Sequence, residues 1–329
     1  MVRARIWLIL LSIILIISGC AAPRISIFGD DSVPLKEYTL KGTGRGKVLL
    51  IPVKGTISDE TQKEFLSTKP SMVQEIVSQL GKAEKDAAVQ AVVLKIDSSG
   101  GSVTASDLLY HEILSFKKRT GKKIVVAMMN VAASGGYYIA LPADFILAHP
   151  TTITGSIGVL FLQPRVEGLM DKIGVDVNVN KSGKNKDMGS PFRASTEEEN
   201  KIVQELTDKL GQRFLGLVKK HRTLDKKRLS QIATARVYLA DEAQRLGLVD
   251  KVGYLSAAIA EAKKLGGMPP DAKVVVYRRM QFPDDNLYNT RITGSGGIRP
   301  SLVGIDLPLS VMNLRTGFYY LWAPALNIE

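Results

Sequence analysis

The amino-acid sequence predicts an α/β fold built around a parallel sheet. Three apolar runs have the length of buried strands, and turn or polar residues close each of them: Val48–Val53, Ala91–Ile96 and Ile124–Met129. Segments with apolar residues at helical spacing separate these runs. Strands that alternate with helices in this way are typical of parallel strands joined by crossover helices.

The composition fits a globular protein and narrows its chemistry. The 329 residues are 45% hydrophobic and 23% charged, so the chain can bury a sizeable core, and wholesale disorder is excluded. The net charge of +12 favours anionic surfaces, but only 6% of residues are aromatic and no basic stretch alternates with aromatic residues, so we expect no nucleic-acid binding. The chain has one cysteine, which excludes an internal disulfide and a cysteine-based zinc site. No two of its three histidines have the spacing of a metal-binding pair, and we expect no cofactor.

The amino terminus has the pattern of a secretory signal with an anchor. A basic start precedes the apolar run Ile6–Ile17, which is shorter than the roughly 20 residues of a membrane-spanning helix. The run leads into Ile17-Ser18-Gly19-Cys20, which resembles a bacterial lipobox. We therefore expect residues 1–19 to be a lipoprotein signal peptide and Cys20 to carry lipid on the outside of the cytoplasm. An uncleaved signal anchor is the alternative. By resemblance to other bacterial lipoproteins, Ala21 in place of an Asp after the cysteine favours the outer membrane, with the inner membrane as the alternative.

The remaining elements follow from local patterns, in chain order. Residues 20–46 are rich in Gly, Pro, Asp and Ser and indicate a tether. Ser71 caps the first helix, and Gly121 ends the second. The second half of the chain is predicted to contain strands at Phe145–Ala148, Ile157–Phe161, Val175–Val179 and Val274–Tyr277, and helices at Val166–Ile173, from Ser195-Thr196 through Leu217, and within Asp241–Leu265. A polar loop covers Lys181–Arg193, a Gly-rich linker covers Gly294–Gly297, and an aromatic tail covers Phe318–Trp322.

Two turns that directly follow strands carry residues suited to chemistry. Asp97-Ser98-Ser99-Gly100-Gly101-Ser102 stands at the carboxyl end of a strand, where α/β folds bind ligands, and its glycines allow a backbone N–H to approach closely. Ser134 follows the next strand and starts a helix, where free N–H groups favour an oxyanion. Each feature alone is also explained structurally, the first as a tight turn and Ser134 as a helix cap.

A nucleophilic serine needs a base. His111 lies within a helix, His149 precedes a proline and His221 lies in a basic run, so a Ser-His-Asp triad is poorly supported. The other option is a neutral lysine, whose pKa would have to fall from about 10.4 towards 7–8. Three lysines of the Gly-flanked loop qualify, and residue chemistry alone does not choose among them: Lys181, Lys184 and Lys186.

Four motifs follow one another along the chain: Ile96-Asp97-Ser98-Ser99-Gly100-Gly101, Ala133-Ser134-Gly135-Gly136-Tyr137-Tyr138, Thr154-Gly155-Ser156-Ile157-Gly158-Val159 and Ser182-Gly183-x-x-Lys186-Asp187. Their order resembles the signal peptide peptidase A family, and Arg236-Val237-Tyr238 with Ala243-x-x-x-Gly247-Leu248-Val249-Asp250 is similar to that family's next segment. The resemblance covers about Lys47 to Leu265.

The resemblance implies a membrane-associated serine peptidase with a Ser/Lys dyad on a Clp protease/crotonase-like spiral fold. Ser134 would be the nucleophile and Lys186 the base, with Ser156 orienting the lysine. Gly101 and Gly135 would offer the oxyanion N–H groups.

The resemblance also implies an organisation and a substrate class. Residues 47–265 would form the peptidase domain and residues 266–329 a carboxy-terminal extension, and copies would assemble into a homo-oligomer. The expected activity is the degradation of cleaved signal peptides and other hydrophobic or unfolded peptides. Ser99 stands where the family usually has a proline, and we expect this difference to loosen the turn that carries Gly101. The alternatives are a crotonase-like acyl-CoA enzyme and an inactive membrane scaffold.

Overall fold

A computed structural model describes residues 33–63, 68–282, 284–289 and 316–325. The strands in these ranges are β1 (Lys36–Lys41), β2 (Gly44–Lys54), β3 (Gln62–Lys63), β4 (Thr68–Lys69), β5 (Val89–Ser98), β6 (Gly100–Ser102), β7 (Lys123–Ala133), β8 (Phe145–Ala148), β9 (Ile153–Gly155), β10 (Leu160–Leu162), β11 (Val237–Leu239), β12 (Lys251–Val252), β13 (Ala272–Arg278) and β14 (Gly317–Leu321). The helices are α1 (Met72–Lys85), α2 (Val103–Thr120), α3 (Gly135–Tyr138), α4 (Glu167–Ile173), α5 (Glu197–His221), α6 (Lys226–Ile232), α7 (Ala240–Leu246) and α8 (Leu255–Leu265).

The main sheet confirms the predicted α/β class. Its strand order is β1-β13-β2-β5-β7-β8-β12, and the strands from β13 to β12 run parallel. The three apolar runs of the sequence form β2, β5 and β7 at its centre. These strands are apolar on both faces because helices cover the sheet on both sides.

Each face of the sheet has its own core. On one face, Leu94 and alternate neighbours pack with Ile76 of α1 and Phe116 of α2. On the other face, Val93 and its alternate neighbours pack with Ile259 of α8. Successive residues of a strand point to opposite faces, so one buried strand serves both cores.

Hydrogen bonds and backbone conformation at the helix ends explain why α1 begins and α2 ends where predicted. The Ser71 hydroxyl accepts the Gln74 N–H at the start of α1, and Ser102 does the same for Ala105 at the start of α2. Gly121 ends α2 with a φ of 68°, a left-handed conformation that glycine adopts without strain.

Three predicted elements are wrong in detail. Val175–Val179 forms no strand, because no described strand pairs with it, and its valines are exposed. The predicted strand Ile157–Phe161 is replaced by β9 and β10, since the backbone turns sharply at Ser156, with a φ of 49°. The amphipathic stretch Asp241–Leu265 is two helices separated by β12.

The sheet extends beyond residues 47–265 on both sides. β1, which lies in the stretch interpreted as a tether, pairs antiparallel with β13 of the expected extension. None of the described helices has the length and apolar character needed to cross a membrane. Residues 1–19, Cys20 and the Gly294–Gly297 linker lie outside the described residues.

Candidate active site

Ser134 lies at a sharp turn between a strand and a helix. It follows β7 directly and precedes α3, with φ 52° and ψ −114°. This backbone conformation lies outside the left-handed helical region, which is the only positive-φ region that non-glycine residues visit readily. Such strain persists where the surrounding fold enforces it, and a strained strand-to-helix turn is a known way of presenting a nucleophile.

The fold enforces the turn through backbone contacts on both sides of Ser134. The Ser134 N–H donates to the Gly155 carbonyl at 2.8 Å, and the Ser134 carbonyl accepts the Tyr138 N–H at 2.9 Å. The residue is only 1% exposed, and among the described residues its hydroxyl has no hydrogen-bond partner. A buried hydroxyl without a partner is costly for stability, so this group is available for chemistry rather than used for folding.

The glycines around Ser134 let several backbone segments meet. A Cβ on Gly100 would lie 2.7 Å from the Gly135 nitrogen, and a Cβ on Gly136 would lie 2.6 Å from the Ser98 carbonyl oxygen. A Cβ on Gly101 would lie 1.9 Å from the Ile57 carbonyl oxygen. Side chains at these positions would therefore push the segments apart. The glycine pairs found in the sequence are required by close backbone approach.

The helix that follows Ser134 is only one turn long. Gly135–Tyr138 contains four residues, so it has no substantial macrodipole. The individual N–H groups at the start of this helix, and not a helix dipole, would therefore stabilise an oxyanion at Ser134. Gly135 and Gly101, the two predicted donors, belong to adjacent segments of the same turn cluster.

Ser156 lies beside Ser134, just beyond the end of the neighbouring strand β9. Ala133 of β7 pairs with Gly155 of β9, so the two serines occupy equivalent positions just beyond the strand ends. Ser156 also has a positive φ, 49°, and its N–H donates to the Arg236 carbonyl at 2.9 Å. The structure thus brings together four predicted site residues: Ser134, Ser156, Gly101 and Gly135.

The predicted base, Lys186, lies apart from these residues on the exposed loop. Its side chain makes no hydrogen bond to the Ser134 hydroxyl. The other two candidates are ion-paired: Lys181 Nζ contacts Asp187 at 2.7 Å and Lys184 Nζ contacts Glu198 at 2.8 Å. Among the described residues, Lys186 has no ion-pair partner. The structure therefore distinguishes the three lysines, which the sequence could not.

A network of charges anchors the loop next to Lys186. The Arg193 guanidinium binds Asp187 at 2.7 Å and Glu199 at 2.5 Å, and Glu199 completes a capping box with Thr196 at the start of α5. Arg193 lowers the pKa of Asp187, and it lowers the pKa of Glu199 to about 2, because both carboxylates accept its N–H groups. The sequence analysis missed this network, although Arg193 lies six residues after Asp187 and six residues before Glu199.

Sequence reasoning also missed the aromatic tail as part of the site. Residues 317–321 form β14, which pairs with β6 beside the Ser134 turn. Its residue types, two tyrosines and a phenylalanine in a short run, favour a strand and could have indicated one. Among the described residues, no cluster of side chains suits a metal ion.

Comparisons with known proteins identify the family of the chain. The family model of peptidase family S49 matches residues 116–268, and the Clp protease model matches residues 65–150. A signal peptide peptidase SppA of Enterococcus faecium is 36% identical over 77% of this chain and 73% of its own length. Protease 4 of Haemophilus influenzae is 34% identical over 82% of this chain, and the chloroplastic serine protease SPPA of Arabidopsis thaliana is 32% identical over 84%.

The matches cover different shares of these relatives. They span 43% of the Haemophilus protein and 40% of the Arabidopsis protein. A solved structure of a ClpP1 mutant from Listeria monocytogenes aligns with 64% of this chain and 94% of its own chain, with 18% identity and a TM-score of 0.41. The Clp-like fold is shown by the match to the Clp protease model and by the topology of the sheet. The chain belongs to the signal peptide peptidase A family, peptidase family S49, and is a serine-type peptidase with the Clp-like α/β fold.

Proposed function

We propose that this peptidase is a lipid-anchored endopeptidase that cleaves signal peptides and other hydrophobic or unfolded peptides with Ser134 as nucleophile and Lys186 as general base. One observation carries the assignment of the nucleophile. Ser134 is a strained, buried serine whose hydroxyl has no partner, in the turn cluster of the glycines predicted to bind an oxyanion.

In the proposed reaction, the Ser134 hydroxyl attacks the peptide carbonyl carbon while its proton passes to neutral Lys186. The oxyanion accepts N–H groups of Gly101 and Gly135. The lysine ammonium then donates the proton to the leaving amine, and water hydrolyses the acyl-enzyme by the same steps in reverse. Ser156, next to Ser134 beyond paired strands, would hold the lysine amine in position.

The ion pairs of the loop support Lys186 as the base. The Nζ atoms of Lys181 and Lys184 donate to Asp187 and Glu198, so each lysine would have to break an ion pair to reach Ser134. Lys186 has no such partner among the described residues, but its side chain is exposed. The proposal therefore requires that Lys186 approach Ser134 when a peptide is bound, as catalytic hydrogen bonds often form only in the complex.

Exposed apolar side chains around this loop support a homo-oligomer. In α4 and in the segment between α4 and α5 they comprise Leu169, Ile173, Val175, Val177, Val179 and Phe192. Exposed apolar side chains that are concentrated in one segment are typical of protein interfaces. A second copy that buried them would lie close to the loop that carries Lys186. Size-exclusion chromatography of the full chain and of Val177→Asp would test this, since the substitution should shift the protein to a smaller species.

Activity-based labelling tests the proposed nucleophile and base. A fluorophosphonate probe should label the wild-type chain at Ser134 and should not label Ser134→Ala. Ser230→Ala is the matched control, because Ser230 is exposed on α6 and its hydroxyl bonds only the Lys226 carbonyl. Hydrolysis of a hydrophobic fluorogenic peptide should be lost in Lys186→Met and retained in Lys184→Met. Labelling of Ser134→Ala, or equal activity of the two lysine variants, would contradict the proposal.

A further inference from the structure

Strand β7 changes its neighbour just before Ser134. Over residues 125–128 it pairs with β8, and over residues 131–133 it pairs with β9. Ser134 follows the second stretch directly, and its N–H donates to the carbonyl of Gly155, the last residue of β9. The change of partner therefore brings Ser134 next to Gly155 and Ser156.

Extra residues in β7 accompany this change. Ile96 of β5 pairs with Met128, and the next registered pair joins Ser98 to Ala132. The step is thus two residues along β5 and four residues along β7. A β-bulge of this kind bends its strand and re-aims the residues that follow, and bulges are common next to active sites. The bulge directs the end of β7, and with it Ser134, towards β9.

Side-chain hydrogen bonds hold the backbone at the bulge. The Thr152 hydroxyl bonds the Met128 carbonyl at 3.1 Å and also bonds the Met129 carbonyl. On the other side of β7, Asp97 Oδ1 accepts the Val131 N–H at 3.2 Å. A bulge removes backbone groups from the regular ladder, so bonds from side chains are needed to fix its conformation.

A third side chain holds β7 beyond the bulge. The Thr154 hydroxyl donates to the Ala132 carbonyl at 2.6 Å, two residues before Ser134. Thr152 and Thr154 are both fully buried, so water does not compete for their hydrogen bonds. The backbone that leads into the Ser134 turn is therefore held by side chains from both neighbouring strands, and not only by strand pairing.

We propose that Asp97 and Thr152 are positioning residues for the peptidase reaction, which hold the β7 bulge and thereby fix the place of the Ser134 hydroxyl. The proposal rests on the proposed function of Ser134 as the nucleophile. Among the described residues no side chain bonds that hydroxyl, so Asp97 and Thr152 act through the backbone. The strained turn persists because its surroundings enforce it, and displacing a reacting group by about 1 Å can slow a reaction about 100-fold.

Thr152→Val tests the proposal, because valine has the shape of threonine and lacks the hydroxyl. The kcat for a hydrophobic fluorogenic peptide should fall about 10–100-fold, with KM changed by less than about twofold. Fluorophosphonate labelling of Ser134 should slow in parallel. The midpoint of the pH dependence should stay unchanged, since the substitution does not alter the base.

Two further variants serve as controls for Thr152→Val. Thr152→Ser keeps the hydroxyl and should restore most of the lost kcat. Thr151→Val is the matched control, because Thr151 is exposed and its hydroxyl bonds the His149 ring at 2.9 Å. Its kcat should stay within about twofold of the wild-type value.

Asp97 offers an independent test on the other side of the bulge. Asp97→Asn keeps an oxygen that can accept the Val131 N–H, whereas Asp97→Ala removes the acceptor. The kcat of Asp97→Ala should be lower than that of Asp97→Asn by about 10-fold or more. Equal kcat values would overturn the role of this hydrogen bond. This pair also decides the question if Thr152→Val does not fold.

The outcomes separate this inference from the proposed function. A lower Tm of Thr152→Val with a wild-type kcat and normal labelling of Ser134 would overturn the positioning role and leave the peptidase assignment intact. A wild-type chain that is neither labelled at Ser134 nor active would overturn both. A loss of kcat that Thr152→Ser restores, measured well below the Tm of each variant, would support both.

Discussion

Replacing Ser134, the proposed nucleophile, should stabilise the protein. Ser134 combines a strained backbone, with φ 52° and ψ −114°, and a buried hydroxyl without a partner. Strain of this kind costs about 1–3 kcal/mol, and a buried unsatisfied polar group costs about 1–3 kcal/mol. Ser134→Gly removes both costs, but glycine adds about 0.5–1 kcal/mol of unfolded-state entropy. We expect a net gain of about 3 kcal/mol from the midrange of these terms.

Two further variants separate the contributions. Ser134→Ala removes the hydroxyl but keeps the strain, so its gain should be about 2 kcal/mol, the midrange of the hydroxyl term. Ser230→Ala, on the exposed face of α6, should change the unfolding free energy by less than about 0.5 kcal/mol. The order of stability should therefore be Ser134→Gly above Ser134→Ala above the wild type, while both Ser134 variants are inactive.

The assay is reversible urea denaturation followed by circular dichroism, with thermal unfolding as a second measure. A gain of about 3 kcal/mol corresponds to a rise in Tm of roughly 4 °C, because the unfolding entropy is about 2.1 cal/mol/K per residue over the 329 residues. A loss of 1 kcal/mol or more in both Ser134 variants would refute the reasoning. It would mean that the hydroxyl makes a stabilising contact in solution and that the turn is not strained.

Four other predictions concern the site, the anchor and the loop. Ser156→Ala should fold normally and lose roughly 10–1000-fold in kcat with little change in KM, and near-normal kcat would exclude a positioning role. The kcat/KM should rise with pH through one ionisation above neutrality, and sensitivity to His149→Gln with a midpoint near pH 6.5 would contradict a lysine base. Cys20→Ser should release the chain from membranes or leave it unprocessed, and persistent palmitate labelling would contradict this. Arg193 lowers the pKa of Glu199 to about 2, so the stability that this ion pair contributes should be fully present above about pH 5 and should be lost as the pH falls towards 2. In Arg193→Gln, the urea midpoint should therefore fall less between pH 5 and pH 2 than it does in the wild type.

Local patterns were sufficient for the centre of the fold. The buried strands β2, β5 and β7 are continuous apolar runs, and such runs form wherever helices cover both faces of a sheet. Ser71 and Gly121 marked helix ends because capping depends on residues within one turn of the end. Ser134, Gly101 and Gly135 could be chosen from the sequence because the carboxyl ends of neighbouring parallel strands meet at one edge.

Features that depend on distant partners could not be predicted. Val175–Val179 has strand-forming residues but no described strand to pair with, and periodicity carries no information about pairing. The three loop lysines are equivalent in sequence, and only the ion pairs to Asp187 and Glu198 distinguish Lys186.

The sequence by itself determined the class of fold and the family, and it indicated Ser134 as the candidate nucleophile, because each depends on short motifs and their order. The tertiary structure alone decided that Ser134 is strained and that its hydroxyl has no partner among the described residues, and that Tyr320 pairs with Gly101. Both facts arise from contacts between segments far apart in the chain. Ser134 is held by Gly155 across a strand pair, and Tyr320 reaches β6 from more than 200 residues away. Hydrogen bonds and packing between such segments are set by the folded sheet, and no local pattern encodes them.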